Sequence, residues 1–264
     1  MSKYGRYQVA EPYASLNKIH FHAGGPLKVA HHPAKVRVLD QEDLLAQGII
    51  VSDFIPGAPK NVDALGSCTA NAGTAAISNV LSEADFLAAT KATSYADVKG
   101  AEEFAIRFYH ACTDQTGDTS TEWPPVDCGS SGVYVVDEYK KMGLVKGDKI
   151  ATTATDLVSL LQTDGVLMGS PWFNSWEEPT ANGFIDSGGI EAAIQSGVAG
   201  GHETYLWGVD SIELTASGLV NPAKTVINGR NSWSSSWGDE GDYRVHLSTL
   251  MAIASHCDFR QLVA

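Results

Sequence analysis

The stretch Gly66-Ser67-Cys68-Thr69-Ala70-Asn71-Ala72-Gly73-Thr74-Ala75-Ala76-Ile77-Ser78-Asn79-Val80-Leu81 holds no proline and consists almost entirely of small or apolar residues. Small side chains on nearly every side describe a helix buried all round, threaded through a core rather than lying on it. Ser67 or Cys68 stands at its start. A cysteine there is chemically particular, because the positive end of the helix dipole favours thiolate over thiol and a neighbouring imidazole would favour it further. Taken alone, Cys68 reads equally well as one more small residue at a helix start.

Outward from this helix the pattern divides. Apolar spacing predicts further helices over 101–112, 132–142 and 156–163. After Gly165 short apolar runs between Gly-rich turns predict strands over 166–169, 205–209 and 225–227, and residues 243–247 alternate as a half-buried strand does. Ahead of the helix, 35–39 and 49–51 read as short strands and 41–47 as a short helix, with Pro56, Gly57 and Pro59 breaking regular structure. Helices first and strands second predict an α+β fold with a helical lobe and a sheet lobe. Residues 1–35 read as an extended N-terminal arm. Residues 36–264 read as one domain, its helical lobe over about 60–163 and its sheet lobe over about 164–264.

Composition narrows the function. The chain has 264 residues, 44% apolar and 19% charged, and its 31 acidic against 18 basic residues give a formal charge of −13. Such a surface repels phosphates and anionic lipid heads, which argues against nucleic-acid and membrane partners. No apolar run approaches the roughly 18–20 residues of a membrane span, and the N-terminus lacks a signal-peptide core. Neither secretion nor membrane insertion is therefore expected. Cys68, Cys112, Cys128 and Cys257 are too few and too scattered for a disulfide scaffold and form no CxxC pair. His20, His22, His31 and His32 cluster in the arm, but no carboxylate or cysteine completes a ligand set, so neither a metal nor any other cofactor is expected.

Two further elements carry chemistry. Gly200-Gly201-His202-Glu203 precedes an apolar strand, which would hold the imidazole on rigid backbone with space beside it. Asn231-Ser232-Trp233 follows another, and then comes Trp237-Gly238-Asp239-Glu240-Gly241. An Asn amide can accept from an imidazole N–H and fix its orientation, and a Trp over that bond shields it from water.

Together, Gly66-Ser67-Cys68, Gly201-His202 and the Asn-Ser-Trp block resemble the papain-like cysteine peptidases, in the same order, over about residues 50–250. The interval from Cys68 to His202 falls within the roughly 130–150 residues of that family. Residues 65–72, 127–132 and 200–203 look nearest to its bacterial and bacteriophage branch, which together with the missing signal and span implies a bacterial cytoplasm or a bacteriophage virion as the compartment. The resemblance implies a two-lobe fold in which a buried central helix and an antiparallel sheet or barrel flank a cleft. It implies a peptidase using a thiolate–imidazolium pair and an acyl-enzyme, with a peptide or protein as substrate. Cys68 would be the nucleophile, His202 the general base and acid, and Asn231 the residue that orients His202. Trp233 and Trp237 would support the site. Gly129, Ser130, Ser131 and Gly201 would bind substrate backbone, and the backbone N–H of Cys68 would be one oxyanion donor. Trp172, Phe173 and Trp176 are candidate walls of the S2 pocket or, equally, core aromatics.

The match has gaps. The family carries a glutamine oxyanion donor six residues before the cysteine; Val62 stands there, and Asn61 is the substitute within reach of a one-residue bulge. Leu65 replaces the cysteine that would pair near Cys128, which leaves a Cys112–Cys128 bridge open. The stretch before Cys68 is too short for the usual inhibitory propeptide, so self-inhibition by a large N-terminal domain is not expected. These gaps motivate an alternative, a weak or inactive papain-fold component of a bacteriophage particle that binds other virion proteins. A cell-wall amidase is a third reading, disfavoured by the Asn-Ser-Trp block.

Overall fold

The computed structural model describes residues 27–114 and 122–264. Most of the 1–35 arm, with His20 and His22, lies outside the described residues. The chain runs β1 (Ala30–His31), α1 (Cys68–Val80), α2 (Glu83–Thr90), α3 (Val98–Asp114), α4 (Gly132–Lys141), β2 (Gly147–Ile150), α5 (Ala154–Leu160), β3 (Val166–Phe173), α6 (Gly189–Ser196), β4 (Val198–Ser211), β5 (Val226–Arg230), β6 (Asp242–His246), α7 (Leu247–Ala252) and β7 (Asp258–Val263). No helix among the described residues is long and apolar enough to cross a membrane.

Helix α1 is the buried helix its composition demands. Every residue from Cys68 to Ser78 is buried. Two of its hydroxyls are satisfied within the helix: Thr74 Oγ1 donates to the Ala70 carbonyl and Ser78 Oγ to that of Ala75. Ser78 Oγ also accepts the Lys35 and Val36 amides, which pins the incoming chain to the helix. Gly73 sets the approach of α4, since a Cβ there would stand 2.9 Å from a Val135 methyl and 3.0 Å from the Tyr139 hydroxyl.

The sheet is antiparallel throughout, in the order β2-β7-β3-β4-β5-β6, with β1 added on β4. Two cores result. One lies among α1, α3, α4 and the segment before α1, and takes Leu167, Tyr205 and Leu262 from the sheet. The other fills the space among the sheet, α5, α6 and α7. Helix α1 packs on both α3 and β4, so its ends lie where helical and sheet halves meet.

Three expectations ahead of α1 are corrected. Residues 35–39 form no strand, because their amides go to Ser78 Oγ and the Tyr95 carbonyl rather than to a partner strand. Residues 41–47 are hydrogen-bonded turns and not a helix: Asp43 adopts φ 51°, a left-handed conformation a helix does not tolerate. Residues 49–51 give way to a short 3-10 turn over Val51–Asp53.

Candidate active site

Each of the three residues before Cys68 is clamped by a different part of the chain. Leu65 donates its backbone amide to the Gln41 carbonyl at 3.1 Å, and the Gln41 side-chain amide donates to the Leu65 carbonyl at 2.9 Å. The Gly66 amide donates to both oxygens of Asp127, at 3.1 and 3.0 Å. Ser67 Oγ donates to Asn71 Oδ1 at 2.8 Å, and its carbonyl accepts the Ala70 and Asn71 amides that begin α1. Cys68 is the first residue of that helix and is fully buried.

Asp127 carries the clamp into the glycine-rich segment. It accepts from the Tyr109 hydroxyl at 2.8 Å, and the same hydroxyl accepts the Gly129 amide at 2.8 Å. Burial pushes the Asp127 carboxyl up, and the bonds from Tyr109 and Gly66 oppose that shift. Gly129, Ser130 and Ser131 are thereby held to the loop that presents Cys68, and all three are buried.

The imidazole comes from the sheet half. His202 sits in β4 opposite Ser170 of β3, just after the half-buried Gly200 and Gly201. Its Nε2–H donates to Asn231 Oδ1 at 2.7 Å, and that oxygen also accepts the Ser232 amide at 2.8 Å. Trp233 stacks on the imidazole with centroids 4.7 Å apart and planes 26° from parallel, while Trp172 meets it edge-on at 4.9 Å. Trp237 packs edge-on against Trp233 at 5.5 Å and donates its indole N–H to the Glu177 carbonyl.

The Trp-Gly-Asp-Glu-Gly motif acts through its backbone. The Gly241 carbonyl accepts the Asn231 amide at 2.9 Å, and its own amide donates to Trp237. Gly238 and Gly241 have φ of +60° and +90°. A Cβ at Gly238 would lie 2.5 Å from the Asp242 carbonyl oxygen, and one at Gly241 would lie 2.6 Å from both Val38 methyls. Only glycine fits both positions, and the turn they make fixes the backbone of Asn231.

The two halves converge. Asn71 and Ala72, within the first turns of α1, line one enclosed cavity of about 10 Å³ together with Glu203, Asn231 and Ser232. His202, like Cys68, is fully buried, and Asn231 is 3% exposed. Beyond Gly200 and Gly201 opens a larger pocket of about 600 Å³, lined by Pro171, Phe173, Ile194, Val198 and Ile253, with His256 among its walls.

Of the three aromatics named as candidate S2 walls, Phe173 lines this pocket. Trp172 instead covers His202, and Trp176 packs on Phe173 and Trp172 inside the core. Val62 is buried in the helical core, and Asn61 beside it is exposed. None of the four cysteines is in a disulfide, so Cys112 and Cys128 are not bridged; burial pushes the Cys112 thiol well up. His31 packs against the Trp207 ring, and no cluster of three or more potential metal ligands occurs among the described residues.

Gln41, Glu102, Tyr109 and Asp127 are the structural partners that motif reading did not single out. Asp127 opens the 127–132 segment that the family resemblance covers, but the other three stand outside every motif, and only their burial marks them.

No protein-family model and no curated protein sequence matches the chain. Solved structures do. Xylellain, a cysteine protease from Xylella fastidiosa, is 18% identical with a TM-score of 0.51, covering 100% of this chain and 96% of its own. Digestive procathepsin L 3 of the Tenebrio molitor larval midgut is 12% identical with a TM-score of 0.53, covering 95% and 75%. ProCathepsin B S9 from Trypanosoma congolense is 10% identical with a TM-score of 0.55, covering 98% and 86%. With a buried central helix packed on an antiparallel sheet and these neighbours, the chain has the α+β fold of the papain-like cysteine proteases.

Proposed function

We propose that the protein is a cysteine peptidase in which Cys68 attacks the scissile carbonyl and His202 moves the proton. The observation that carries this reading is the buried His202–Asn231 bond of 2.7 Å beneath Trp233. With Nε2 directed at Asn231, Nδ1 is the ring nitrogen assigned to the sulfur. The helix dipole at the start of α1 favours the thiolate. The thiolate forms a bond to the peptide carbonyl carbon, His202 protonates the departing amine, and water then releases the acid from the thioester. The Cys68 amide, in the first helical turn, supplies one oxyanion donor.

A peptide laid along Gly200 and Gly201 would place one side chain in the apolar pocket floored by Phe173 and Ile253. Gly129, Ser130 and Ser131 are the backbone-binding candidates on the opposite side. The second oxyanion donor is the weak point: Val62 cannot donate, and Asn61 would have to turn inward. Losing one such donor lowers the rate by roughly 10²–10³-fold, so slow turnover is expected.

Full burial of Cys68 and His202, together with Val62, favours a second reading: the fold kept as a non-hydrolytic binding component, with a bacteriophage particle as its setting. A peptidyl vinyl sulfone separates the two. Labelling of Cys68, lost in Cys68→Ala, and turnover of a peptide library support the peptidase. A folded protein with neither labelling nor turnover overturns it.

A further inference from the structure

Glu102 is a carboxyl group in the second turn of α3 with no exposure to solvent. Taking a carboxyl out of water is costly, and apolar packing there would give a more stable core. Its bonds show what it does instead. Both oxygens accept the Asn71 side-chain amide at 2.8 Å. One also accepts the backbone amide of Asp40 at 3.0 Å.

Each bond leads to one side of the candidate site. Asn71 is the acceptor for the Ser67 hydroxyl, and Ser67 is bonded covalently to Cys68. Asp40 forms an isolated antiparallel bridge with Trp233. The next residue, Gln41, donates its backbone amide to the Ser232 carbonyl at 3.1 Å, and its side-chain oxygen accepts from Ser232 Oγ at 2.6 Å. Gln41 also grips Leu65, three residues before Cys68. A single buried carboxyl thus ties the turn presenting Cys68 to the loop presenting Asn231 and Trp233.

We infer that Glu102 is a positioning residue, setting Cys68 against His202 and Asn231 through Asn71, Ser67 and the Asp40–Gln41 clamp. This rests on the peptidase reading of the site. Glu102 does not line the apolar pocket, and its partners Asn71 and Asp40 are not residues assigned to substrate, so it acts on the reacting geometry and not on peptide binding.

The test compares wild type with Glu102→Ala, Glu102→Gln and Ser67→Ala, using a peptidyl vinyl sulfone and peptide mapping of Cys68. Glu102→Ala should slow the maximal labelling rate by about 10–100-fold, the loss expected when reacting groups shift by an ångström or so. Half-saturation by the reagent should change less than about threefold. Glu102→Gln keeps one oxygen for Asn71 and Asp40 and should restore most of the rate. Ser67→Ala, which removes only the last link, should fall between. A cooperative melt accompanies each variant. Folded Glu102→Ala labelling within twofold of wild type overturns the inference, as does a rate loss that glutamine does not repair. Should Glu102→Ala fail to fold, Glu102→Gln and Ser67→Ala both labelling within twofold of wild type overturn it equally. Wild type unlabelled at Cys68 sinks the peptidase reading itself, whereas labelled wild type with unaffected variants sinks only the role of Glu102.

Discussion

Replacing Asn231 by alanine removes one oxygen that serves two buried donors. The His202 ring N–H at 2.7 Å and the Ser232 amide at 2.8 Å both lose their acceptor. A buried donor left without a partner costs about 1–3 kcal/mol, so with two of them stability should fall by about 2–6 kcal/mol, less if water enters the vacated space. The Asn231 backbone stays in place, because its amide is held by Gly241. Trp233 still covers one face of the imidazole, so the ring loses its direction and not its seat. Near-attack geometry is then only part-time, and labelling of Cys68 should slow by roughly 10–100-fold. Urea melts measure the first quantity and vinyl-sulfone kinetics the second. If Asn231→Ala keeps wild-type stability and labels Cys68 at the wild-type rate, the His202–Asn231 bond is not what holds the site, and the catalytic argument loses its anchor.

Burial pushes Glu102 up to about 7 and Asp40 to about 6 from ordinary values of 4.5 and 3.8. The folded chain therefore holds protons that the unfolded chain releases, and stability should fall as pH rises from about 4 to about 7. For Glu102 alone the change is about 3 kcal/mol. Glu102→Gln should flatten this slope in urea melts at successive pH values, and an unchanged slope would refute the assignment. Gly241→Ala should cost about 2–4 kcal/mol, since it combines a disfavoured φ with overpacking against Val38; thermal melts read the loss, and Cys68 labelling should slow with it. A peptide library should show preference for an apolar side chain at the position seated in the Phe173–Ile253 pocket, and Ile253→Glu should erase that preference. Gly73→Val should destabilise by about 1–3 kcal/mol by forcing α1 from Val135 and Tyr139, measured by urea melts.

Much of the fold is legible in residue pattern. The small, proline-free run at 66–81 could only be a helix with neighbours on every side, and α1 is that helix. Apolar spacing found α3 and α4 within a few residues, and strand runs found parts of β3 to β6. The β2–β7 pair is hidden because Asp148, Asp258 and Arg260 break its apolar alternation, and Arg260 meets Asp148 across the strands at 2.6 Å and Asp258 along β7 at 3.1 Å. Helix α6 was hidden by flanking glycines.

Motif chemistry likewise shows in the chain itself. Cysteine at a helix start, histidine after two glycines and Asn-Ser-Trp followed by a glycine turn each have a local physical meaning, because dipoles, φ angles and strand ends are set by neighbours in sequence. What holds those pieces together has no such signature. Glu102 looks like one more charged residue of a helix, Gln41 like part of a short helix, and Trp172 equally like a pocket wall or a core aromatic. Their roles depend on partners 24 to 191 residues away. Burial turns an ordinary carboxyl or amide into a clamp, and burial is a property of how the chain packs, which only the tertiary structure decides.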